Sequence, residues 1–244
     1  YLVIKLRHFK FIIFQLMQIY KKKQKQHYFL PKSEATTEIF YYICSTIRCV
    51  ANFNQHYKMK ESLKFYKDFP KEGILFIDII PFLQDKKVYK EIIDHLGEAV
   101  TAPNIVAPEA RGFLFSAPLL ITKPEVKNII PIRKSGKLPF HKGDLKDIAI
   151  EKEYGFDHLF YRLSDIAAGE AQGDEIHLSI IDDVLATGGT ALGIAESMMA
   201  QTITKDGKEY KVVIDEFIFL VEIDDLSGCE RLKKIAPVKS LIHL

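Results

Sequence analysis

The sequence predicts an α/β fold in which a central, mostly parallel sheet is flanked by helices. Short apolar runs of strand length alternate along the chain with segments whose apolar residues recur at the helical period. Strands joined by helices pair in parallel and carry the helices on the faces of the sheet. Polar, glycine-containing segments follow three of the predicted strands, and ligands of such folds bind at the carboxyl ends of strands.

The first predicted elements lie between residues 61 and 132. A short helix is predicted at residues 61–67, and residues 71–79 are predicted to be a loop. The spacing of Val88, Ile92 and Leu96 predicts a helix over residues 84–100. This half is completed by strands at residues 104–107 and 128–132 and by a helix at residues 113–121.

The second half begins with a charged segment that contains glycine and proline, residues 133–155, and we predict a long loop there. Residues 176–181 form an apolar run that is typical of a buried parallel strand. The elements predicted after it are a helix at 191–199, a strand at 212–222, a short helix at 230–234 and a closing strand at 238–242.

Residues 1–58 differ from the rest of the chain in charge. They carry a net charge of +8, whereas the remainder carries −6. Three interpretations are open: a signal sequence, an interfacial amphipathic anchor, or an extension outside the main fold. We favour the extension, because the segment Met59-Lys60-Glu61-Ser62-Leu63 reads like a natural amino terminus. The folded domain is therefore predicted over residues 59–244.

Composition limits the expected partners and compartment. The acidic body offers no general attraction to nucleic acid, and no apolar run approaches the roughly 20 residues that span a bilayer. Cys44, Cys49 and Cys229 form no CxxC pair, which is typical of a reduced intracellular protein without a structural zinc site. We expect a cytoplasmic protein that binds neither nucleic acid nor membrane.

The most informative stretch is residues 176–191, where the predicted strand ends in Asp182 and Asp183 and a Thr-Gly-Gly-Thr loop at residues 187–190 opens a helix. Glycines let backbone N–H groups turn toward one point, and a helix N-terminus adds positive potential there. Such a loop suits a phosphate, while paired carboxylates suit a diol or a Mg²⁺-bound ligand. The combination outlines a ribose 5-phosphate site; the alternative is a tight turn with an acidic cap.

This string resembles the signature of the type I phosphoribosyltransferases: a strand, two acids and a Thr-Gly-Gly-Thr loop. The resemblance implies their fold, in which the central sheet is joined by a small base-binding hood and a mobile catalytic loop. It also implies phosphoribosyl pyrophosphate as a substrate, Mg²⁺ bound mainly through that substrate, and a homodimer.

Two further loops carry cations. One is Glu109-Ala110-Arg111-Gly112, and the other contains Arg133, Lys134 and Lys137. Each loop alone is more typical of a solvated basic loop than of a site. Beside a phosphate cradle, however, they make sense as a pyrophosphate site, because guanidinium and ammonium groups stabilise the charge that develops on that leaving group.

Within the family, the resemblance is closest to the members that act on adenine. It rests on Asp68-Phe69-Pro70, residues 73–76, residues 110–113, residues 133–139 and Glu153-Tyr154-Gly155. It runs from about residue 68 to the last residue and does not cover residues 1–58. Three departures put base affinity in question: Ile77 stands where the family usually has Arg, Ala110 replaces the usual Ser, and the stretch between Pro139 and Glu153 is slightly long.

The resemblance implies a role for each matching position. Glu153 is the acid/base partner of the purine nitrogens, and Arg111 also serves catalysis. The ribose and its 5-phosphate fall to Asp182, Asp183, Ala186, Thr187, Gly188, Gly189 and Thr190. The pyrophosphate side falls to Arg111, Gly112, Arg133, Lys134 and Lys137. The purine is framed by Leu75, Phe76, Val184, Leu185 and Tyr154.

The implied reaction is one of purine salvage: adenine and phosphoribosyl pyrophosphate give AMP and pyrophosphate. Two alternatives are open. One is the same chemistry on hypoxanthine, guanine or xanthine, against which the Lys-Leu-Pro and Glu-Tyr-Gly strings argue. The other is a non-catalytic regulator that binds phosphoribosyl pyrophosphate, for which residues 1–58 offer positive charge but no helix-turn-helix pattern.

Overall fold

The computed structural model describes residues 59–152 and 155–244, and it describes no side chains for residues 151–156. The predicted extension, residues 1–58, therefore lies outside the described residues. The strands are β1 Lys64–Lys67, β2 Leu75–Asp78, β3 Asn104–Pro108, β4 Asn128–Lys134, β5 Leu145–Lys152, β6 Gly155–Arg162, β7 Glu175–Leu185, β8 Thr202–Lys205, β9 Lys208–Glu222 and β10 Val238–His243. The helices are α1 Ile80–Gln84, α2 Lys86–Ala99, α3 Arg111–Ser116, α4 Leu119–Thr122, α5 Leu163–Ala167, α6 Gly189–Met199 and α7 Gly228–Leu232.

The central sheet confirms the predicted architecture. Its strand order in the described part of the chain is β10-β9-β7-β3-β4-β6-β5, with β8 paired to β9. Strands β10, β9, β7, β3 and β4 run parallel, whereas β6, β5 and β8 pair antiparallel. Strand β7 lies between β9 and β3, so the end of β7 opens at the middle of the parallel part of the sheet.

Apolar side chains form two clusters, to which β7 contributes alternately. Ile180 belongs to the cluster that contains Met198 of α6, while Ile181 belongs to the cluster that contains Ile92 of α2. Successive strand residues point to opposite faces of a sheet, so the continuous apolar run of β7 is buried on both sides. This double burial fixes the strand whose end carries Asp182 and Asp183. No helix among the described residues is long and apolar enough to cross a membrane.

Several predicted elements are wrong in detail. Residues 64–67 form β1 instead of a helix, because they pair antiparallel with β2 in a separate two-stranded hairpin. Residues 133–155 contain β5, whose Ile148 and Ile150 are buried at strand spacing. The helix predicted at 113–121 divides into α3 and α4, with Pro118 as the residue before α4. Strands β2, β6 and β8 and helices α1 and α5 were not predicted.

A buried carboxylate stabilises the sheet at the end opposite the candidate site. Glu216 accepts hydrogen bonds from the Thr101 N–H (2.7 Å), the Thr101 hydroxyl (2.7 Å), the Ser179 hydroxyl and the Lys239 ammonium (2.8 Å). Burial alone would raise the pKa of Glu216, but the hydrogen bonds from Lys239, Ser179 and Thr101 hold it below its ordinary value. The ionised form therefore contributes to folding stability.

We expect Glu216→Gln to lower the free energy of unfolding by about 2–4 kcal/mol. The Gln amide replaces one carboxylate oxygen with an NH₂ donor, so some of the groups that donate to Glu216 lose their acceptor and face another donor. Urea denaturation at neutral pH measures the loss, with Glu209→Gln, an exposed carboxylate on the same strand, as the control. A lowered pKa means that the contribution is complete above the ordinary value of 4.5 and is lost as pH falls through the folded-state pKa. The unfolding free energies of wild type and Glu216→Gln should therefore converge at acid pH. A difference between them that grows at acid pH would contradict this account.

Candidate active site

The end of β7 and the start of α6 form a small concavity. Strand β7 includes both acids and ends at Leu185, and α6 begins at Gly189. Gly188 has φ +73°, in the left-handed region that favours glycine, and a Cβ there would lie 3.1 Å from the Gly228 carbonyl oxygen. No backbone carbonyl in the described part of the chain accepts from the N–H groups of residues 187–190. These residues belong to the lining of a concavity of about 110 Å³, which is formed by Asp182, Phe219 and residues 184–191.

The two acids of β7 have different surroundings. The Asp183 N–H donates to Asp182 Oδ1 at 2.9 Å. Asp183 is buried, and its Oδ2 lies 2.9 Å from Arg111 Nε in an ion pair whose angles do not make a hydrogen bond. Desolvation, and then the Asp183 charge, raises the pKa of Asp182 well above its ordinary value, which Arg111 only partly offsets. One guanidinium therefore lies beside both carboxyl groups, and Asp182 holds its proton more tightly than an exposed aspartate does.

Arg111 joins the acid pair to the β1–β2 hairpin. Its guanidinium lies 5.5 Å from the centre of the Phe76 ring, within cation–π range. Phe76 in turn makes an edge contact with Phe69, at a centroid distance of 5.0 Å. The hairpin is therefore the small hood that the sequence resemblance implied, and it places an aromatic face next to Arg111.

The predicted pyrophosphate loops meet at Glu109. Its carboxylate accepts a hydrogen bond from Arg133 and lies 3.3 Å from the Lys137 ammonium, with only 6% of the side chain exposed. Burial would raise the pKa of Glu109, but the bonds from Arg133, the Lys134 backbone and Lys137 hold it below its ordinary value. Arg133 also lies 5.7 Å from the Phe113 ring centre. The sequence did not anticipate that a buried acid balances these two cations.

The other predicted site residues contribute less to the concavity, or lie outside the described residues. Leu75 is half exposed on the hood and Lys134 is exposed at the end of β4. The Leu185 side chain is buried in the apolar core and its carbonyl accepts from the Ile223 N–H, so it offers the concavity little beyond backbone. Gly112 packs so closely that a Cβ would lie 3.1 Å from the Ile181 carbonyl oxygen. Glu153 and Tyr154 lie outside the described residues.

Sequence reasoning missed residues that reach the site from β9 and α7. Phe219 pairs with Asp182 across β9 and β7 and lines the concavity. Gly228 packs against the back of the loop, since a Cβ there would lie 2.2 Å from the Ala186 carbonyl oxygen. The periodicity of β9 predicted a strand, but its register against β7 depends on a shift between Leu178 and Ser179, which no local pattern reveals.

A second cluster of possible metal ligands consists of Glu222, Asp224 and His243, whose ligand atoms lie within 4.8 Å of one another. Ser240 donates to Glu222 at 2.6 Å, and His243 Nδ1 lies 2.9 Å from Asp224 Oδ1. These groups satisfy one another within the protein, so the cluster needs no ion to explain it.

A glycine-containing loop at a helix N-terminus follows two carboxylates at the end of a central parallel strand, and a small hood lies beside a cationic loop. Together these features define the arrangement of a type I phosphoribosyltransferase. No protein-family model matches the chain. The chain is 38% identical over 177 residues to the adenine phosphoribosyltransferase of Clostridium acetobutylicum, which covers 71% of this chain and 91% of that protein. It is 36% identical to the enzyme of Maridesulfovibrio salexigens, over 76% of this chain and 99% of that one. The chain belongs to the adenine phosphoribosyltransferase family, as its motifs indicated.

Solved structures agree with this assignment. The adenine phosphoribosyltransferase of Thermoanaerobacter pseudethanolicus superposes with a TM-score of 0.64 and 35% identity, covering 78% of this chain and 99% of that one. The enzyme of Saccharomyces cerevisiae, solved in complex with an imino-altritol bisphosphate and adenine, gives a TM-score of 0.62 and 33% identity, with the same coverage. The predicted fold class is therefore confirmed.

Proposed function

We propose that this protein converts adenine and phosphoribosyl pyrophosphate to AMP and pyrophosphate. The proposal is carried by the end of β7, where two carboxylates precede a loop whose N–H groups have no backbone acceptor among the described residues. It is supported by membership of a family whose curated members carry this activity in their names. The bases hypoxanthine, guanine and xanthine are the alternatives that an assay must exclude.

The sugar phosphate is assigned to the concavity. The N–H groups of residues 187–190, with the hydroxyls of Thr187 and Thr190, hold the 5-phosphate, and Ala186 contributes backbone on the same loop. Asp182 and Asp183 accept hydrogen bonds from the ribose hydroxyls. Binding of the diol gives these neighbouring carboxylates further donors, beyond the Asp183 N–H and the Arg111 charge, which only partly offset their mutual repulsion.

The leaving group and the base are assigned to the other side of the acid pair. Arg111, the backbone at Gly112, and the cations Arg133, Lys134 and Lys137 stabilise the pyrophosphate as its charge develops. Phe76 stacks on the purine, with Leu75 and Val184 at its edges, Leu185 contributing backbone, and Tyr154 assigned from the motif alone. Ile77 is buried in the apolar core, so base recognition relies on stacking and backbone contacts.

The reaction exchanges one bond at the anomeric carbon for another. The bond from C1 to the pyrophosphate oxygen loosens first and gives the sugar oxocarbenium character; the adenine nitrogen then bonds to C1. Adenine loses one proton, which Glu153 accepts. Strand β5 is part of the central sheet, so we assign to the loop residues between Lys134 and Gly155 the exclusion of water that would otherwise capture the sugar.

The donor set of the site fits Mg²⁺ that is bound mainly through the substrate. Mg²⁺ prefers oxygen ligands, and Asp183 Oδ2 is a buried oxygen without a hydrogen-bond donor in the described part of the chain. When bound, the ion neutralises charge on the pyrophosphate oxygens. Arg111 and Lys137 provide fixed positive charge on the same side.

Turnover of a purine panel with phosphoribosyl pyrophosphate and Mg²⁺ tests the proposal. Adenine should be the preferred base by a wide margin; preference for an oxopurine, or binding of phosphoribosyl pyrophosphate without turnover of any base, would overturn it. Glu153→Gln should lower kcat by about 10²–10⁴-fold, the usual contribution of a positioned general base, while phosphoribosyl pyrophosphate still binds.

The domain, compartment and assembly are also proposed. We propose a cytoplasmic homodimer; exposed apolar side chains such as Leu120 and Ile121 offer surface for self-association, which sedimentation can measure. We further propose that residues 1–58 lie outside the catalytic fold. A chain that starts at Met59 should then turn over adenine at the full-length rate. A several-fold loss of kcat/KM in a chain that remains folded by circular dichroism would show that the extension contributes to the site.

A further inference from the structure

We propose that Arg231 is a phosphate-binding residue that reaches the 5-phosphate past Gly189, at the α7 side of the Thr-Gly-Gly-Thr loop. The inference rests on the proposed function and extends it to helix α7, which the sequence motifs did not connect with the site. Arg231 Nη1 lies 3.9 Å from the Cβ position of Gly189. Gly189 lines the concavity and is the first residue of α6.

The place of this guanidinium is set by close backbone packing. A Cβ on Gly228 would lie 2.2 Å from the Ala186 carbonyl oxygen and 3.1 Å from the Gly188 nitrogen. Glycine at position 228 therefore lets the start of α7 contact the phosphate loop directly. Leu232 of the same helix is buried and lies against Gly188. Contacts at both ends of α7 therefore fix the position from which the Arg231 side chain extends.

The charges around Arg231 favour an anionic ligand. No carboxylate among the described residues lies within ion-pair distance of Arg231, and the neighbouring Glu230 lies 3.4 Å from Lys233 instead. The guanidinium stands beside the N-terminus of an 11-residue helix, where the backbone dipole also carries positive charge. Two positive groups thus meet without an acid between them, and a phosphate in the concavity supplies the missing negative charge. Arg231 is exposed, so solvent accommodates its charge until the ligand binds.

Arg231 is distinct from the arginines already assigned. Arg111 and Arg133 face acids of their own, Asp183 and Glu109, and serve the pyrophosphate side. Helix α7 follows β9 in the chain, whereas the helix of Arg111 follows β3. Strands β9 and β3 flank β7 on opposite sides, so Arg231 approaches the loop from the side opposite to Arg111. Its contribution should therefore appear with ligands that carry the 5-phosphate and not with pyrophosphate.

The test compares Arg231→Gln, Arg231→Lys and Lys234→Gln, the last an exposed cation two residues beyond α7. Arg231→Gln should raise the KM for phosphoribosyl pyrophosphate about tenfold, the loss expected for one charge-assisted hydrogen bond. The KM for adenine should stay unchanged, Arg231→Lys should retain part of the affinity, and Lys234→Gln should match the wild type.

Calorimetry separates the phosphate role from a structural one. Ribose 5-phosphate should bind Arg231→Gln about tenfold more weakly than wild type, while pyrophosphate binds both equally. Equal ribose 5-phosphate affinity in the two proteins, or equal weakening toward both ligands, would overturn the assignment. Because the titration requires no turnover, it reports on Arg231 even if the wild-type protein proved to use no purine, an outcome that would refute the proposed function alone.

Discussion

Replacement of Arg111 by Gln should lower kcat/KM for adenine phosphoribosylation by about 10²–10³-fold, the effect of removing a group that stabilises charge developing in the transition state. Arg111 is the side chain that contacts both halves of the site: its Nε lies 2.9 Å from Asp183 Oδ2, and its guanidinium lies 5.5 Å from the Phe76 ring centre. Without it, the buried Asp183 loses its cation and the pyrophosphate loses a positive partner. Steady-state kinetics with both substrates varied measures the loss.

Two variants make the result specific. Arg111→Lys keeps the charge but loses the planar guanidinium, so it should recover part of kcat and less of the contact to Phe76. Lys90→Gln removes an exposed ion pair on α2, Lys90 to Asp94 at 2.6 Å, and should leave the kinetics unchanged. If Arg111→Gln retained wild-type kcat/KM, Arg111 would be only a structural partner of Asp183, and the pyrophosphate assignment would have to move to Arg133 and Lys137.

The parts of this molecule that could be predicted from sequence are those in which local pattern and tertiary environment agree. Strand β7 is apolar on both faces because both faces are buried, and the loop after it needs glycine at 188 because its φ is +73°. Residues 64–67 show the opposite case. All four are exposed, so burial imposes no alternation of apolar and polar residues on them. Their strand conformation comes from pairing with β2.

The place of the candidate site along the chain could be predicted from sequence, but its contacts could not. The acids and the predicted phosphate loop follow one another in the chain, so one motif contains both. The Asp183–Arg111 pair joins residues 72 positions apart on β7 and α3, and Phe219 comes from a third element. Their proximity depends on strand order and register, including the shift at Ser179. Glu109 illustrates the consequence: two nearby cations were visible in the sequence, but the buried acid between them was not assigned to either.

Asp182→Asn should make the free protein more stable while it lowers kcat/KM by about 10²-fold. Desolvation and the Asp183 carboxylate raise the pKa of Asp182 well above its ordinary value of 3.8, so the folded protein binds a proton more tightly than the unfolded chain does. The stability contribution of Asp182 is thus greatest below pH 3.8 and is lost as pH rises through the folded-state pKa. Above that pKa the ionised group is destabilising, and an amide of the same shape removes that cost. Asn can still accept the hydrogen bond from the Asp183 N–H.

Thermal unfolding and kinetics on the same samples decide whether Asp182 is a functional or a structural acid. The Tm of Asp182→Asn should exceed that of wild type at pH 7, and the difference should shrink as pH falls toward 3.8. Asp225→Asn, an exposed acid beyond β9, should change neither Tm nor kcat/KM. A structural role would lower Tm and activity together, because the folded state would lose an interaction it depends on. A higher Tm with lost turnover would mean that two like charges lie side by side at a cost in stability. On the proposed function, the ribose diol offsets that cost by donating hydrogen bonds to both carboxylates.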